Sequence, residues 1–176
     1  MMVQLLPKLN VTDLDVRLCD ESGRLKINPS KTYARIPWDK LRVWTHLKAF
    51  YGLPTPELIA CLKEIIGPRT AIEIGAGNGC LGRALSIPMT DSHVQADPAI
   101  RLYYASMGQP TIEYGNDVEQ LDALGAVHKY KPQVVVGSWV TQKSDGTRPG
   151  SFYGVDEESL LEEVETYIIF GPDRHC

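Results

Sequence analysis

The run Glu73-Ile74-Gly75-Ala76-Gly77-Asn78-Gly79-Cys80-Leu81-Gly82 is the part of the chain most suited to binding chemistry. Glycines at this density let the backbone turn sharply and let a ligand approach the main chain without Cβ clashes. A helix starting just after such a turn offers N–H groups to an anionic ligand. A glycine-rich turn also serves for turning alone. Two carboxylates downstream, Asp97 and Asp117, sit where a strand gives way to a helix. Either can bind a ligand or cap the helix that follows. Upstream, Arg42, Trp44, His46 and Tyr51 cluster within ten residues, where Trp44 can serve as helix core and Arg42 and His46 as a solvated face. Ser138, Trp139 and Thr141 follow an apolar run and are further pocket candidates. His93 and His128 read as structural, and the acids between 156 and 165 as one solvated helix face. No His-Glu-x-x-His, phosphate-binding loop or Gly-x-Ser-x-Gly is present.

The elements that position these residues follow from local pattern. Asp15–Cys19 and Arg24–Ile27 alternate apolar and polar residues around Asp20-Glu21-Ser22-Gly23, which predicts a small β-hairpin. Residues 38–51 carry Leu41, Trp44, Leu47 and Phe50 at helical spacing. Thr55, Pro56 and Glu57 predict a capped helix start, and Gly67-Pro68 its end. From Thr70 onward strands and helices alternate. Strands are predicted at 70–74, 93–96, 111–114, 133–139 and 166–170, and helices at about 80–86, 98–107, 117–129 and 155–165. Lys143–Gly154 reads as a loop. Alternating strands and helices imply right-handed crossovers and a parallel sheet covered on both faces. The expected class is α/β, with residues 1–53 as an N-terminal hairpin and helix extension and residues 54–176 as the binding domain.

The glycines admit two registers. Gly77-x-Gly79-x-x-Gly82 matches the dinucleotide fingerprint of NAD enzymes. Glu73-x-Gly75-x-Gly77-x-Gly79 begins inside the strand and uses every glycine up to the helix. It resembles the first motif of the class I S-adenosylmethionine-dependent methyltransferases, and this register is preferred. The resemblance covers about residues 54–171. It implies a Rossmann-like three-layer sandwich with strand order 3-2-1-4-5 and S-adenosylmethionine as cofactor, bound by Glu73, Gly75, Ala76, Gly77, Asn78, Gly79 and Ser138. It further implies that Asp97, ending the second strand, accepts from the ribose hydroxyls, and that Asp117 and Val118 read the adenine after the third. The segment before the first strand, with Arg42, Trp44, His46 and Tyr51, would fold over the cofactor as a lid or acceptor pocket, and the pocket would be built from Trp139, Thr141, Trp44, His46 and Tyr51. No catalytic acid or base is assigned.

The sequence also departs from that family. Gly137-Ser138-Trp139-Val140-Thr141-Gln142 lacks the Pro-Pro-aromatic motif of enzymes that methylate amines on bases, and it lacks a Pro-Cys nucleophile. The family sheet usually has seven strands, and the last two are not expected here. The fifth, Thr166–Phe170, is then an open edge and a route to self-association. Two alternatives therefore stand beside methyl transfer: a degenerate binding or interaction module without catalysis, and an NAD-dependent oxidoreductase. Lys+Arg 18 against Asp+Glu 22 gives a net charge of −4 over 176 residues, which offers no global attraction for nucleic acid. Four cysteines without a Cys-x-x-Cys pair read as free thiols, and His175–Cys176 is too poor a ligand pair to imply a metal. No signal peptide or membrane span is expected, so the expected location is cytoplasmic.

Overall fold

Three consecutive valines define the centre of the molecule. In the computed structural model, which describes residues 9–144, 146 and 151–171, Val134, Val135 and Val136 are all fully buried. They belong to β4 (Val134–Ser138), which pairs in parallel with β1 (Ala71–Ile74) on one side and β5 (Thr166–Phe170) on the other. The register sets Ala71 opposite Val134 and Ile74 opposite Gly137. On the other flank Val134 faces Thr166 and Ser138 faces Phe170. β-branched residues suit a strand buried on both faces.

Side chains alternate across this sheet. Ala71, Val134 and Val136 pack with Leu62 and Ile66 of α4 (Pro56–Ile66) and with Leu81 and Leu85 of α5 (Cys80–Leu85). Ile72, Ile74 and Val135 pack on the opposite face, with Ala126 and Val127 of α7 (Ala123–Tyr130) and Leu160 of α8 (Glu157–Glu163). The architecture is α/β with a mostly parallel sheet. α4 starts as its sequence predicts: Thr55 Oγ1 accepts from the Leu58 N–H at 3.2 Å, and Pro56 takes the first helical position.

A second parallel pair joins β2 (Thr90–Asp91) to β3 (Glu119–Gln120). One isolated parallel bridge, Glu73 to Met89, links it to β1. The strands expected at 93–96 and 111–114 are not formed. Residues 94–96 make a short 3-10 turn leading into α6 (Pro98–Ser106). Residues 111–115 run irregularly, held by side chains instead of a ladder: Gln95 Oε1 accepts from the Ile112 N–H at 2.9 Å, and Tyr114 Oη from the Gln95 N–H at 3.2 Å. The helix expected from 117 begins only at Ala123, capped by Asp122.

The N-terminal hairpin is also corrected. Asp13–Leu18 is a helix, α1, and the expected strand pairing survives only as one antiparallel bridge between Cys19 and Leu25. Asp20 Oδ1 closes the intervening turn by accepting from the Ser22 and Arg24 N–H groups. A short α2 (Ser30–Ala34) follows, then α3 (Trp38–Leu47), which stops before the expected Tyr51. Leu14, Leu18, Tyr33, Leu41 and Trp44 form their own apolar cluster. Cys80 packs against that cluster and donates to the Leu25 carbonyl at 3.3 Å, which ties this region to the first turn of α5. Among the described residues no helix is long and apolar enough to cross a membrane. His175–Cys176 and part of the expected 143–154 loop lie outside the described residues.

Candidate functional site

The glycine turn leaves the carboxyl end of β1. Gly75, Gly77 and Gly79 all take left-handed backbone, at φ of 57°, 56° and 73°. At Gly75 a Cβ would lie 2.4 Å from Val140 Cγ1, so space as well as conformation requires glycine there. Five N–H groups of the turn and of the start of α5 are engaged within the protein. Ala76 donates to the Thr90 carbonyl at 3.0 Å and Gly79 to the Ala76 carbonyl at 2.8 Å. Cys80 donates to Asn78 Oδ1 at 3.0 Å. Gly77 donates to Asp91 Oδ2 at 3.0 Å, and Gly82 to Glu73 Oε2 at 2.7 Å.

Two acids therefore brace the turn from below. Glu73 is 2% exposed and clamps β1 to α5. Burial pushes its carboxyl up to about 8; the Gly82 N–H opposes the shift and the neighbouring Asp91 charge adds to it. Asp91 ends β2, is buried, and uses its other oxygen to accept from the His93 N–H at 2.9 Å. Tyr114 stacks on His93 at 4.1 Å between ring centres. Its phenol is pushed up to about 12 by burial and by the Asp91 charge.

Above the turn lies a cavity of about 470 Å³, closed on the far side by residues 51–54 and by the end of β4. A second cavity, of about 520 Å³, adjoins it and holds Asp91, Asp122, Tyr103 and Tyr114 in its wall. The two share Gly75, Gln95, Tyr104, Ile112, Trp139 and Thr141. Both lie within the roughly 300–1,000 Å³ typical of small-molecule sites. Trp139 also walls a third cavity beside α3 and takes left-handed backbone at φ 59°, its N–H donating to the Phe170 carbonyl at 2.8 Å. Such backbone in an aromatic residue costs on the order of 1–3 kcal/mol and gathers at ligand sites.

Of the cofactor candidates Glu73, Gly75, Ala76, Gly77, Asn78 and Ser138 line the first cavity, and of the acceptor-pocket candidates Trp139, Thr141 and Tyr51 line it too. The other candidates are placed differently. Gly79 is buried in the turn, outside the walls of the three cavities. Asp97 does not end a strand. It is exposed and caps α6, accepting from Ala99 and Ile100 N–H at 2.8 and 3.2 Å. Asp117 precedes β3 and forms a two-pronged pair with Arg83, at 2.8 Å from Nε and 2.7 Å from Nη2. That guanidinium holds its carboxyl below the usual range. Val118 is buried with Ala76 and Met89. Trp44 is wholly buried in the N-terminal cluster, its indole N–H donating to Asp15 Oδ1 at 2.8 Å. His46 lines only the third cavity.

Asp91, Gln95, Tyr104 and the Asp122-Ala123-Leu124 segment were not singled out by sequence. The one available signal was an acid closing each of two short runs, at Asp91 and at Asp122. Among the described residues no three His, Cys, Asp or Glu side chains gather as a metal site. No family model, curated protein or solved structure matches the chain.

Proposed function

We propose that the chain binds S-adenosylmethionine over the glycine turn and serves to pass its methyl group to an acceptor. One observation carries this reading: five N–H groups of the turn, those of Ala76, Gly77, Gly79, Cys80 and Gly82, already donate within the protein. A dinucleotide pyrophosphate is held by such donors. Here it would find them engaged and the Asp91 carboxylate behind them. S-adenosylmethionine carries no phosphate, asks of such donors only what its single carboxylate needs, and has a sulfonium that a nearby carboxylate favours.

The bridge from Glu73 to Met89 supports treating the two strand groups as one sheet of Rossmann-like order 3-2-1-4-5. The cavities then open at the carboxyl ends of the strands, where ligands of such sheets bind. In this reading the ribose role passes from Asp97 to Asp91, because Asp91 ends β2. The adenine role passes from Asp117 and Val118 to Asp122 and Ala123, which follow β3. Glu73 holds the turn in shape.

The bound sulfonium supplies an activated methyl group. The protein's share is to hold an acceptor opposite the sulfur and to exclude water, and such positioning accounts for much of the rate in a displacement of this kind. Ser138, Trp139, Thr141 and Tyr51 border the space available for that. Calorimetric titration with S-adenosylhomocysteine and with NAD tests the reading. S-adenosylhomocysteine should bind and, at 100 times its Kd, stabilise the fold by about 2.7 kcal/mol. Stabilisation by NAD alone overturns it.

A further inference from the structure

The third cavity, of about 420 Å³, opens between α3 and the cleft and shares Ala49, Tyr51, Gly52, Leu53, Gln109 and Trp139 with the cavity over the glycine turn. Its wall is aromatic: Trp38, Phe50, Tyr51 and Trp139. Trp38 is 72% exposed, an expensive position for an indole with no partner. Ala49 and Trp139 both hold left-handed backbone, at φ 50° and 59°, so two of the strained non-glycine residues face the same space. The charge in the wall has one sign. Arg42 lines the cavity and, among the described residues, no aspartate or glutamate does. Arg42 Nε is buried without a hydrogen-bond partner, and among the described residues the only ion pair of this side chain is a long 3.7 Å contact from Nη2 to exposed Asp39. The side chain as a whole is 33% exposed, so its outer N–H groups stay open to an acceptor that a ligand would supply, with only that long contact to offset the charge among the described residues.

We propose that this cavity is the binding site of a small planar aromatic carboxylate, its anionic end against Arg42 and its ring on the aromatic wall. As the seat of the methyl acceptor it rests on the function proposed above; as a binding site it stands without it. The carboxylate accepts from the guanidinium, and the opposite edge of the ring reaches Trp139, one of the six residues this cavity shares with the cleft.

The test is calorimetry with 2-naphthoate and with its neutral counterpart 2-naphthalenemethanol. Naphthoate should bind the wild-type protein at least tenfold more tightly than the alcohol. Arg42→Gln should abolish that preference and leave the alcohol unchanged. Trp38→Ala, at an exposed position that the fold tolerates, should weaken both probes and keep the preference. Equal binding of the two probes, no binding of naphthoate, or a naphthoate affinity indifferent to both variants overturns the proposal. S-adenosylhomocysteine is titrated separately. Neither Arg42 nor Trp38 lines the cavity over the glycine turn, so its affinity should be the same in both variants. Naphthoate binding without S-adenosylhomocysteine binding sinks the methyltransferase reading and leaves this site standing; the reverse sinks the site alone.

Discussion

Replacing Glu73 with glutamine separates the clamp from its charge. The Glu73 carboxyl is 2% exposed and titrates at about 8 in the fold, against 4.5 for the unfolded chain. Between these values the unfolded chain has released the proton and the folded protein keeps it. The folded state then binds more protons, so stability falls as pH rises from about 4.5 to about 8 and levels off beyond. At roughly 1.4 kcal/mol per pH unit the whole loss is on the order of 5 kcal/mol. Glutamine cannot ionise, and its amide oxygen can still accept from the Gly82 N–H that Glu73 now receives at 2.7 Å. The Glu73→Gln protein should therefore lack this slope. Urea melts of both proteins at half-unit steps from pH 4.5 to 8.5 give the comparison. Every other titrating group is common to the two, so the difference isolates Glu73. The variant should gain on the wild type steadily across that window, and each kcal/mol moves the Tm of a domain this size by about 2–4 °C. Parallel stability curves would refute the argument, and with it the claim that a neutral acid braces the turn.

Gly75→Ala should destabilise the fold by about 2–5 kcal/mol in chemical melts, since left-handed backbone costs roughly 1–2 kcal/mol and the clash with Val140 roughly 1–3 more; a loss below 1 kcal/mol would mean the turn relaxes. Asp97→Ala should cost about 1 kcal/mol of stability through the lost cap and leave S-adenosylhomocysteine affinity unchanged. Asp91→Asn should weaken that affinity at least tenfold in calorimetry, and the opposite ranking would return the ribose role to Asp97. β5 has a paired neighbour only on its β4 side among the described residues, so light scattering should show concentration-dependent association that Ile169→Lys reduces. A strict monomer at high concentration counts against it.

What the sequence revealed depended on how much side-chain pattern each element carries. β1, β4, β5 and α4 were legible because dense apolar runs or a Thr-Pro cap leave few alternatives. β2 and β3 have two residues each, too few for any period, so the expected strands settled on the nearest apolar stretches at 93–96 and 111–114. That displacement leaves Asp97 as the cap of α6 and Asp117 ahead of β3, whereas Asp91 ends β2 and Asp122 caps α7. α1 misled for a different reason. Asp15-Val16-Arg17-Leu18-Cys19 alternates like a strand, yet Leu14 and Leu18, four apart, are the buried pair, and Val16 is 85% exposed. The glycine turn and the Ser138–Thr141 end of β4 were found because glycine spacing and strand order are visible locally. The third cavity was legible in part: Arg42, His46, Tyr51 and Trp139 were pocket candidates and line it, but Gln109 and Pro110 join them only through the tertiary fold.

The three tryptophans of the chain occupy three distinct environments. Trp44 is sealed in the N-terminal cluster with its N–H fixed on Asp15, Trp38 stands in solvent, and Trp139 is 44% exposed where three cavities meet. Intrinsic emission is therefore a composite of one blue-shifted fluorophore that follows the integrity of residues 11–53 and two that sense the water around the cleft. A protein keeping only Trp139 would turn a single indole into an optical gauge of which compartment is filled, since dehydrating any one of the three changes the solvent on a different side of the same ring.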